Sequence, residues 1–172
     1  MANESKMANK PQRLNIIYIN REEEKNRIMK GFLTEFLSQR YEGGRIYTAQ
    51  TLDDALEQAR NNDRQLRFNL TVIGDEIRRN DYFDRMNKNQ IDSESSLIGL
   101  DHSNSIVVNP WEIRLNMSGY SDNFLCYGFK QPNDDFTRDI LYHSTKNLLY
   151  IMATEKWPRD KAFVHELEQI LK

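Results

Sequence analysis

The sequence of 172 residues carries 24 basic and 26 acidic side chains, which gives a formal net charge of −2. A chain of this length is expected to fold as one domain with a sizeable core, and the balanced charge argues against nucleic-acid binding. The single cysteine, Cys126, excludes an internal disulfide and a cysteine-based zinc site, and it fits a reducing cytoplasm. No apolar run approaches the roughly 18 residues that a membrane helix needs, so no membrane partner is expected.

The chain divides into three segments along its length. Residues 1–13 are polar and lack the apolar centre of a secretory signal, which indicates a flexible N-terminal tail. Residues 14–152 are expected to form the main domain. Residues 153–172 are expected to form a C-terminal helical extension.

Short apolar runs bounded by polar residues are typical of strands that are buried on both faces of a sheet. Such runs recur through the main domain. They predict strands at 14–19, 45–49, 68–74, 106–108 and 124–127.

Apolar residues at helical spacing predict helices between these strands. The helices are expected at 22–40, 51–61, 111–118, 133–152 and 158–171, with a long polar loop over 76–104 that includes a short irregular helix near 77–89. Thr51 is the expected N-cap of the second helix, with Asp54 in its first turn. Ile28 and Phe32 are assigned to the inward face of the first helix, and Leu149 and Met152 to that of the helix ending at 152.

Five strands that alternate with helices predict an α/β fold, a doubly wound parallel sheet with an extra C-terminal helix. Such sheets place their functional groups at the carboxyl ends of the strands. The sequence contains no glycine-rich phosphate loop and no histidine pair at metal-ligand spacing. A nucleotide site and a metal site are therefore not predicted.

Several segments follow one another as the corresponding segments do in the receiver domain of bacterial two-component response regulators. They are 16–21 with 48–56, the strand 69–74, the turn Gly119-Tyr120-Ser121-Asp122 and the segment Phe129-Lys130-Gln131-Pro132. Over about residues 14–152 the chain therefore resembles that family. The resemblance implies a flavodoxin-like, receiver-like sheet with the strand order 2-1-3-4-5.

The departures from the family pattern determine the functional expectation. The family's phosphoryl transfer requires an acidic pair that holds Mg²⁺, a nucleophilic aspartate, a hydroxyl and a lysine. The matching positions here are Asn20, Arg21, Gly74, Asn109 and Lys130. Because only the lysine survives, the resemblance implies a pseudo-receiver that has kept the fold and lost the chemistry, is not an enzyme and needs no cofactor.

Two other functions remain open on the sequence. A shift of one residue would make Asp75 the phosphoacceptor, with Glu22 or Glu23 giving Mg²⁺ its oxygen ligands. Such a shift disturbs the inward pattern of the strand unless a bulge absorbs it, and Asp75 can also serve as a helix cap. Alternatively, Asn20, Asp75 and Asn109 would line a pocket for a small ligand or substrate.

The expected output of a pseudo-receiver is an encounter with another protein or with a second copy of the chain. In the resembled family, partners dock on the face formed by the fourth helix, the fifth strand and the fifth helix. The polar and aromatic residues assigned to this interaction face are Tyr120, Tyr127, Arg138 and Tyr142.

Overall fold

The structure is a computed structural model that describes residues 13–61, 66–79, 108–129 and 148–172. Its sheet has five parallel strands in the order β2-β1-β3-β4-β5. The strands are β1 (Leu14–Ile19), β2 (Gly44–Ala49), β3 (Leu70–Ile73), β4 (Phe124–Gly128) and β5 (Leu149–Met152). The described helices are α1 (Glu23–Arg40), α2 (Leu52–Arg60), α3 (Pro110–Met117) and α4 (Lys161–Ile170). The predicted flavodoxin-like α/β fold and its strand order are confirmed.

The two central strands are apolar on both sides, as a sheet covered by helices on both faces requires. Residues 16–19 of β1 and 70–73 of β3 are all buried. In their parallel register Tyr18 lies beside Val72 and Ile19 beside Ile73. The carboxyl ends of β1 and β3 consequently finish side by side.

Each face of the sheet has its own apolar cluster. On the side covered by α1 and α4, Tyr18 and Tyr127 pack with Phe163, whose ring stacks on Tyr127 at a centroid distance of 4.0 Å. On the side covered by α2 and α3, Ile17 packs with Leu52 and other apolar residues from both helices. Helices on both faces therefore bury the sheet, as a doubly wound fold requires.

Polar caps fix the starts of two helices. Thr51 Oγ1 accepts a 3.1 Å hydrogen bond from Asp54 N, which confirms the predicted cap of α2. Asn109 caps α3 in the same way, and its Oδ1 accepts from Glu112 N at 2.8 Å. In α1 the predicted inward position of Phe32 is confirmed, whereas Ile28 is exposed and its assignment was wrong.

The neighbour of β3 differs from the sequence-based expectation. Of the strand predicted at 106–108, Val108 is the one described residue, and it lies outside the sheet. The strand predicted as the fifth, 124–127, instead pairs with β3, as Ile73 beside Cys126 shows. Which strand pairs with β3 depends on tertiary contacts, and the order of apolar runs along the sequence does not give it.

The outermost strand also replaces a predicted helix end. Residues 149–152 form β5, which pairs with β4 so that Gly128 lies beside Met152. The assignment of 149–152 to a helix was therefore wrong, and so was the inward assignment of Leu149 and Met152, because both side chains are exposed. The rest of that predicted helix, 133–147, lies outside the described residues. A short apolar run fits a buried helix turn as well as a strand, and spacing alone does not separate them.

The last helix packs on the sheet through its apolar side. Phe163 and Leu167 of α4 are fully buried in the cluster that contains Tyr18. Tyr41, just after α1, also ties down the C-terminal end, since its hydroxyl donates to Leu171 O at 2.7 Å. The domain boundary at residue 153 stays a prediction. Within the described residues, no helix is long and apolar enough to cross a membrane.

Candidate functional site at the strand ends

The carboxyl ends of β1 and β3 meet around Gly74. Its amide nitrogen donates to Ile19 O at 2.8 Å, which continues the parallel pairing beyond the strands. A Cβ atom at Gly74 would overlap Asn20 Nδ2 and lie 3.0 Å from both Ile19 O and the Tyr18 hydroxyl. The position that the resemblance assigns to a reactive carboxylate is thus closed by its neighbours.

The side chain of Asn20 is held from several directions. Its Nδ2 donates to the Tyr18 hydroxyl at 2.8 Å, and its Oδ1 accepts from Glu22 N at 2.9 Å, which turns the chain into α1. Asn26 Nδ2 donates to Asn20 O at 2.8 Å. With 3% of its surface exposed, Asn20 is a buried amide that both donates and accepts hydrogen bonds inside the protein.

The Tyr18 hydroxyl lies below this amide and is fully buried. Burial raises the pKa of Tyr18, the hydrogen bond from Asn20 acts in the opposite direction, and the Asp75 and Glu22 carboxylates raise it further. The phenol is therefore neutral at physiological pH. It contributes a hydrogen-bonding group to the floor of the site and no charge.

The carboxylate of Asp75 crosses to the end of β4. Its Oδ2 accepts a 2.7 Å hydrogen bond from Phe129 N. A Cβ atom at Gly128 would lie within 2.8 Å of the same carboxylate, so glycine is needed there for the close approach. Asp75 thus joins the loop after β3 to the end of β4.

A pocket of about 390 Å³ opens above these strand ends. It is lined by Asn20, Arg21, Glu22, Lys25, Asp75, Glu76 and Phe129. Its volume is within the range of small-molecule sites, which is about 300–1,000 Å³. Such sites are usually lined mainly by apolar side chains, whereas Phe129 is the one apolar residue in this lining.

Lys25 brings a positive charge from the first turn of α1 into the pocket. Its Nζ lies 3.2 Å from Glu22 Oε2 and 4.6 Å from the centre of the Phe129 ring. Both contacts stabilise an ammonium group. A basic side chain therefore occupies the neighbourhood of the acidic groups in this pocket.

The side chains that line the pocket do not form a suitable ligand set for Mg²⁺. That ion needs oxygen ligands in near-octahedral geometry, usually including carboxylates. Among the residues that the structure describes, no three His, Cys, Asp or Glu side chains are grouped closely enough to hold a metal ion. Arg21 and Lys25 in the lining would also repel a divalent cation.

The structure brings three of the six predicted pocket residues together. Asn20, Arg21 and Asp75 line the same pocket, with Gly74 beside Asn20. Asn109 lies elsewhere, as the cap of α3. Lys130 lies outside the described residues.

The predicted interaction face separates into different parts of the molecule. Tyr127 is fully buried on the α1 and α4 side of the sheet. Tyr120 is partly exposed, packs against the opposite cluster and accepts a 3.2 Å hydrogen bond from Arg60 Nε. Arg138 and Tyr142 lie outside the described residues. Tyr120 and Tyr127 thus do not share a surface.

Tyr127 instead belongs to a buried network at the start of α4. Its hydroxyl donates to Asp160 Oδ2, and Asp160 Oδ1 accepts from the Thr154 hydroxyl. Thr154 N adds a 3.2 Å hydrogen bond to Oδ2. Although burial alone would raise it, the hydrogen bonds from Thr154 and Tyr127 hold the pKa of the Asp160 carboxyl below its ordinary value.

Sequence reasoning missed Lys25, Glu76 and Phe129 as lining residues. Two signals could have identified Lys25 and Phe129. Lys25 is three residues after Glu22, on the first helical turn after β1, so it faces the same way. Phe129 lies two residues after the strand predicted at 124–127, at the edge of the sheet where Asp75 lies.

No protein-family model matches the chain, and no curated protein matches it. A solved structure described as the yeast Spc42 trimeric coiled coil fused to another structure is similar, with a TM-score of 0.52 and 12% sequence identity. The match covers 93% of this chain and 80% of the other. At that identity the similarity supports the fold alone.

Proposed function

We propose that the chain is a pseudo-receiver, a signalling module that does not accept a phosphoryl group and acts by binding another protein or a second copy of itself. In this proposal it is not an enzyme, requires no cofactor and binds neither nucleic acid nor membrane. The single buried cysteine, Cys126, fits a cytoplasmic location.

The observation that carries the proposal is the lack of space for a side chain at Gly74, which we call the closed floor of the pocket. A phosphoacceptor must present a carboxylate to solvent at the end of the central strand. Here that position has no side chain, and the hydrogen bond from Asn20 to Tyr18 fills the space that one would need. A buried polar pair that is hydrogen-bonded within the protein supports a structural role for this position.

The charges of the pocket support the same proposal. Phosphoryl transfer through Mg²⁺ needs a local excess of carboxylate oxygens. The lining has three acidic and two basic side chains, and Lys25 already lies beside Glu22. An internal ammonium group thus reduces the attraction of the pocket for a cation.

Phosphoryl acceptance at Asp75 is a second candidate function. It is favoured by the shared pocket of Asp75 and Glu22 at the strand ends. The Asp75 carboxylate also accepts a hydrogen bond from Phe129 N. A backbone donor of this kind stabilises negative charge on oxygen. This candidate lacks the third metal ligand, as far as the described residues show.

Acetyl phosphate with Mg²⁺, followed by intact-mass measurement, separates the two candidates. The pseudo-receiver proposal predicts an unchanged mass for the full chain. A gain of one phosphoryl group that disappears in Asp75→Asn would establish the second candidate and overturn the first. Glu76→Gln is the matched control, because it removes a neighbouring carboxylate from the same pocket.

A further inference from the structure

The outer strand β5 is unusually apolar for the edge of a sheet. Its four residues, Leu149-Tyr150-Ile151-Met152, carry no charge. Leu149 is 43% exposed and Met152 is 45% exposed. In the part of the chain that the structure describes, no strand lies beyond β5. Edges of this kind pair readily with another strand unless charges, proline or a covering element prevent it.

The opposite edge of the sheet is different. The strand β2 includes an exposed Arg45 and starts at Gly44, which packs closely against Leu14 O. A charged side chain on an edge strand disfavours pairing with another copy. The two edges are therefore not equivalent, and β5 is the one suited to association.

The main chain of β5 shows which groups are directed outward. Ala153 N donates to Gly128 O at 2.7 Å, so the amide of residue 153 is directed toward β4. Directions alternate along a strand, and in a parallel pair the N–H and C=O of one residue share a side. The amide groups of Tyr150 and Met152 are thus directed to the outer edge.

We propose that two copies of this chain associate by pairing their β5 strands antiparallel, about a twofold axis through Ile151. Tyr150 of one subunit then exchanges main-chain hydrogen bonds with Met152 of the partner subunit. Within the four residues of β5, this register is the one that pairs both outward amides of each strand, and it joins the two sheets into one of ten strands. The inference rests on the proposed function and names its partner.

The partner proposed for the β5 edge is a second copy of the chain, because two such edges can pair with each other. An uncharged strand brings no like charges together when two copies meet, and no counter-charge from a different partner is required. In the proposed register Met152 packs beside the partner's Tyr150, and Leu149 beside the partner's Ala153. Both exposed apolar side chains of β5 would thus be covered.

Sedimentation of the full chain over a concentration series tests the association. We expect a dimer that becomes monomeric in Met152→Pro, since proline removes an outward N–H and keeps the bonds to β4. Leu149→Lys should also weaken the dimer, while Leu115→Lys on α3 should not, although Leu115 is even more exposed. Circular dichroism of each variant verifies that the fold is kept.

Crosslinking tests the register. In the proposed dimer the two copies of residue 151 face each other at a Cα distance of about 4.5 Å, which a disulfide can span. Oxidised Ile151→Cys should form a covalent dimer. Leu149→Cys should not, because its two copies are offset by four residues, about 14 Å along the strands.

Three results would overturn the inference: a chain that remains monomeric, a dimer that Met152→Pro leaves intact, and crosslinking of Leu149→Cys in preference to Ile151→Cys. If the chain remains monomeric, the β5 edge would instead be open to a strand from a different protein. None of these results concerns phosphorylation, so this inference can fail while the pseudo-receiver proposal stands.

Discussion

Asn20 Nδ2 donates a 2.8 Å hydrogen bond to the hydroxyl of Tyr18, two residues earlier on β1. The donor and the acceptor both lie against Gly74 on the neighbouring strand end. In the proposed pseudo-receiver, this pair fills the place where the resembled family has its nucleophile. Several consequences can be measured.

Gly74→Ala should destabilise the protein, because the added methyl group would overlap Asn20 Nδ2. Overpacking of this kind costs about 1–3 kcal/mol, to be measured by urea unfolding. Gly31→Ala is the matched control. Nothing lies within 4 Å of its added Cβ, and alanine should stabilise this position inside α1 by about 0.5–1 kcal/mol. If both substitutions changed the free energy of unfolding by the same amount, the space at Gly74 would not be closed.

Asp160→Asn should remove an acid-sensitive part of the stability. Because the pKa of Asp160 is lowered by folding, its contribution is full above the ordinary carboxyl pKa and is lost as the pH falls through the folded value. At neutral pH the change should cost about 1.5–3 kcal/mol per lost hydrogen bond to the charged group. Unfolding measured from pH 7 down to pH 3 should show the two proteins converging.

The control for that experiment is Glu155→Gln, which removes an exposed carboxylate close in sequence. Such surface changes usually stay within about 0.5 kcal/mol. If the stability difference between wild type and Asp160→Asn were the same at every pH, the folded carboxylate would not be the source of the effect.

Tyr127→Phe should reduce stability without changing the oligomeric state. The ring remains stacked on Phe163, but the hydroxyl that donates to Asp160 is lost, at a cost of about 1–3 kcal/mol. Since Tyr127 is fully buried, sedimentation should be unchanged. A loss of self-association at unchanged stability would restore the original assignment of Tyr127 to an interaction surface.

Cys126 should resist thiol reagents in the folded protein. It is 3% exposed, and burial raises the pKa of its thiol, so little reactive thiolate is present. Labelling with a thiol-specific reagent should proceed only as the protein unfolds in urea. Rapid labelling without denaturant would show that β4 is accessible in a way that the structure does not allow.

The fold could be predicted from the sequence because the central strands carry a clear pattern. Ile16-Ile17-Tyr18-Ile19 is apolar on both faces, and Thr51 with Asp54 marks the start of α2. The outer strand could not be predicted, because Leu148 to Met152 continues a spacing that also fits a helix. Its assignment depends on pairing with β4, which no local signal contains.

The site was predictable only in part. Asn20 and Asp75 follow predicted strands, and the rule that parallel strands share one functional edge places them together. Asn109 was assigned to that edge as the residue after a predicted strand, and it instead caps α3. Lys25 enters the pocket from a helix, and its contact with Phe129 depends on tertiary packing.

The most direct test of the central claim is a titration of the labelled protein with Mg²⁺ and beryllofluoride, an analogue of the phosphoryl group, followed by two-dimensional NMR of the backbone amides. The pseudo-receiver account predicts no saturable shift at Asp75 or Phe129, whose amide donates to the Asp75 carboxylate. Saturable shifts at both amides that vanish in Asp75→Asn would contradict it.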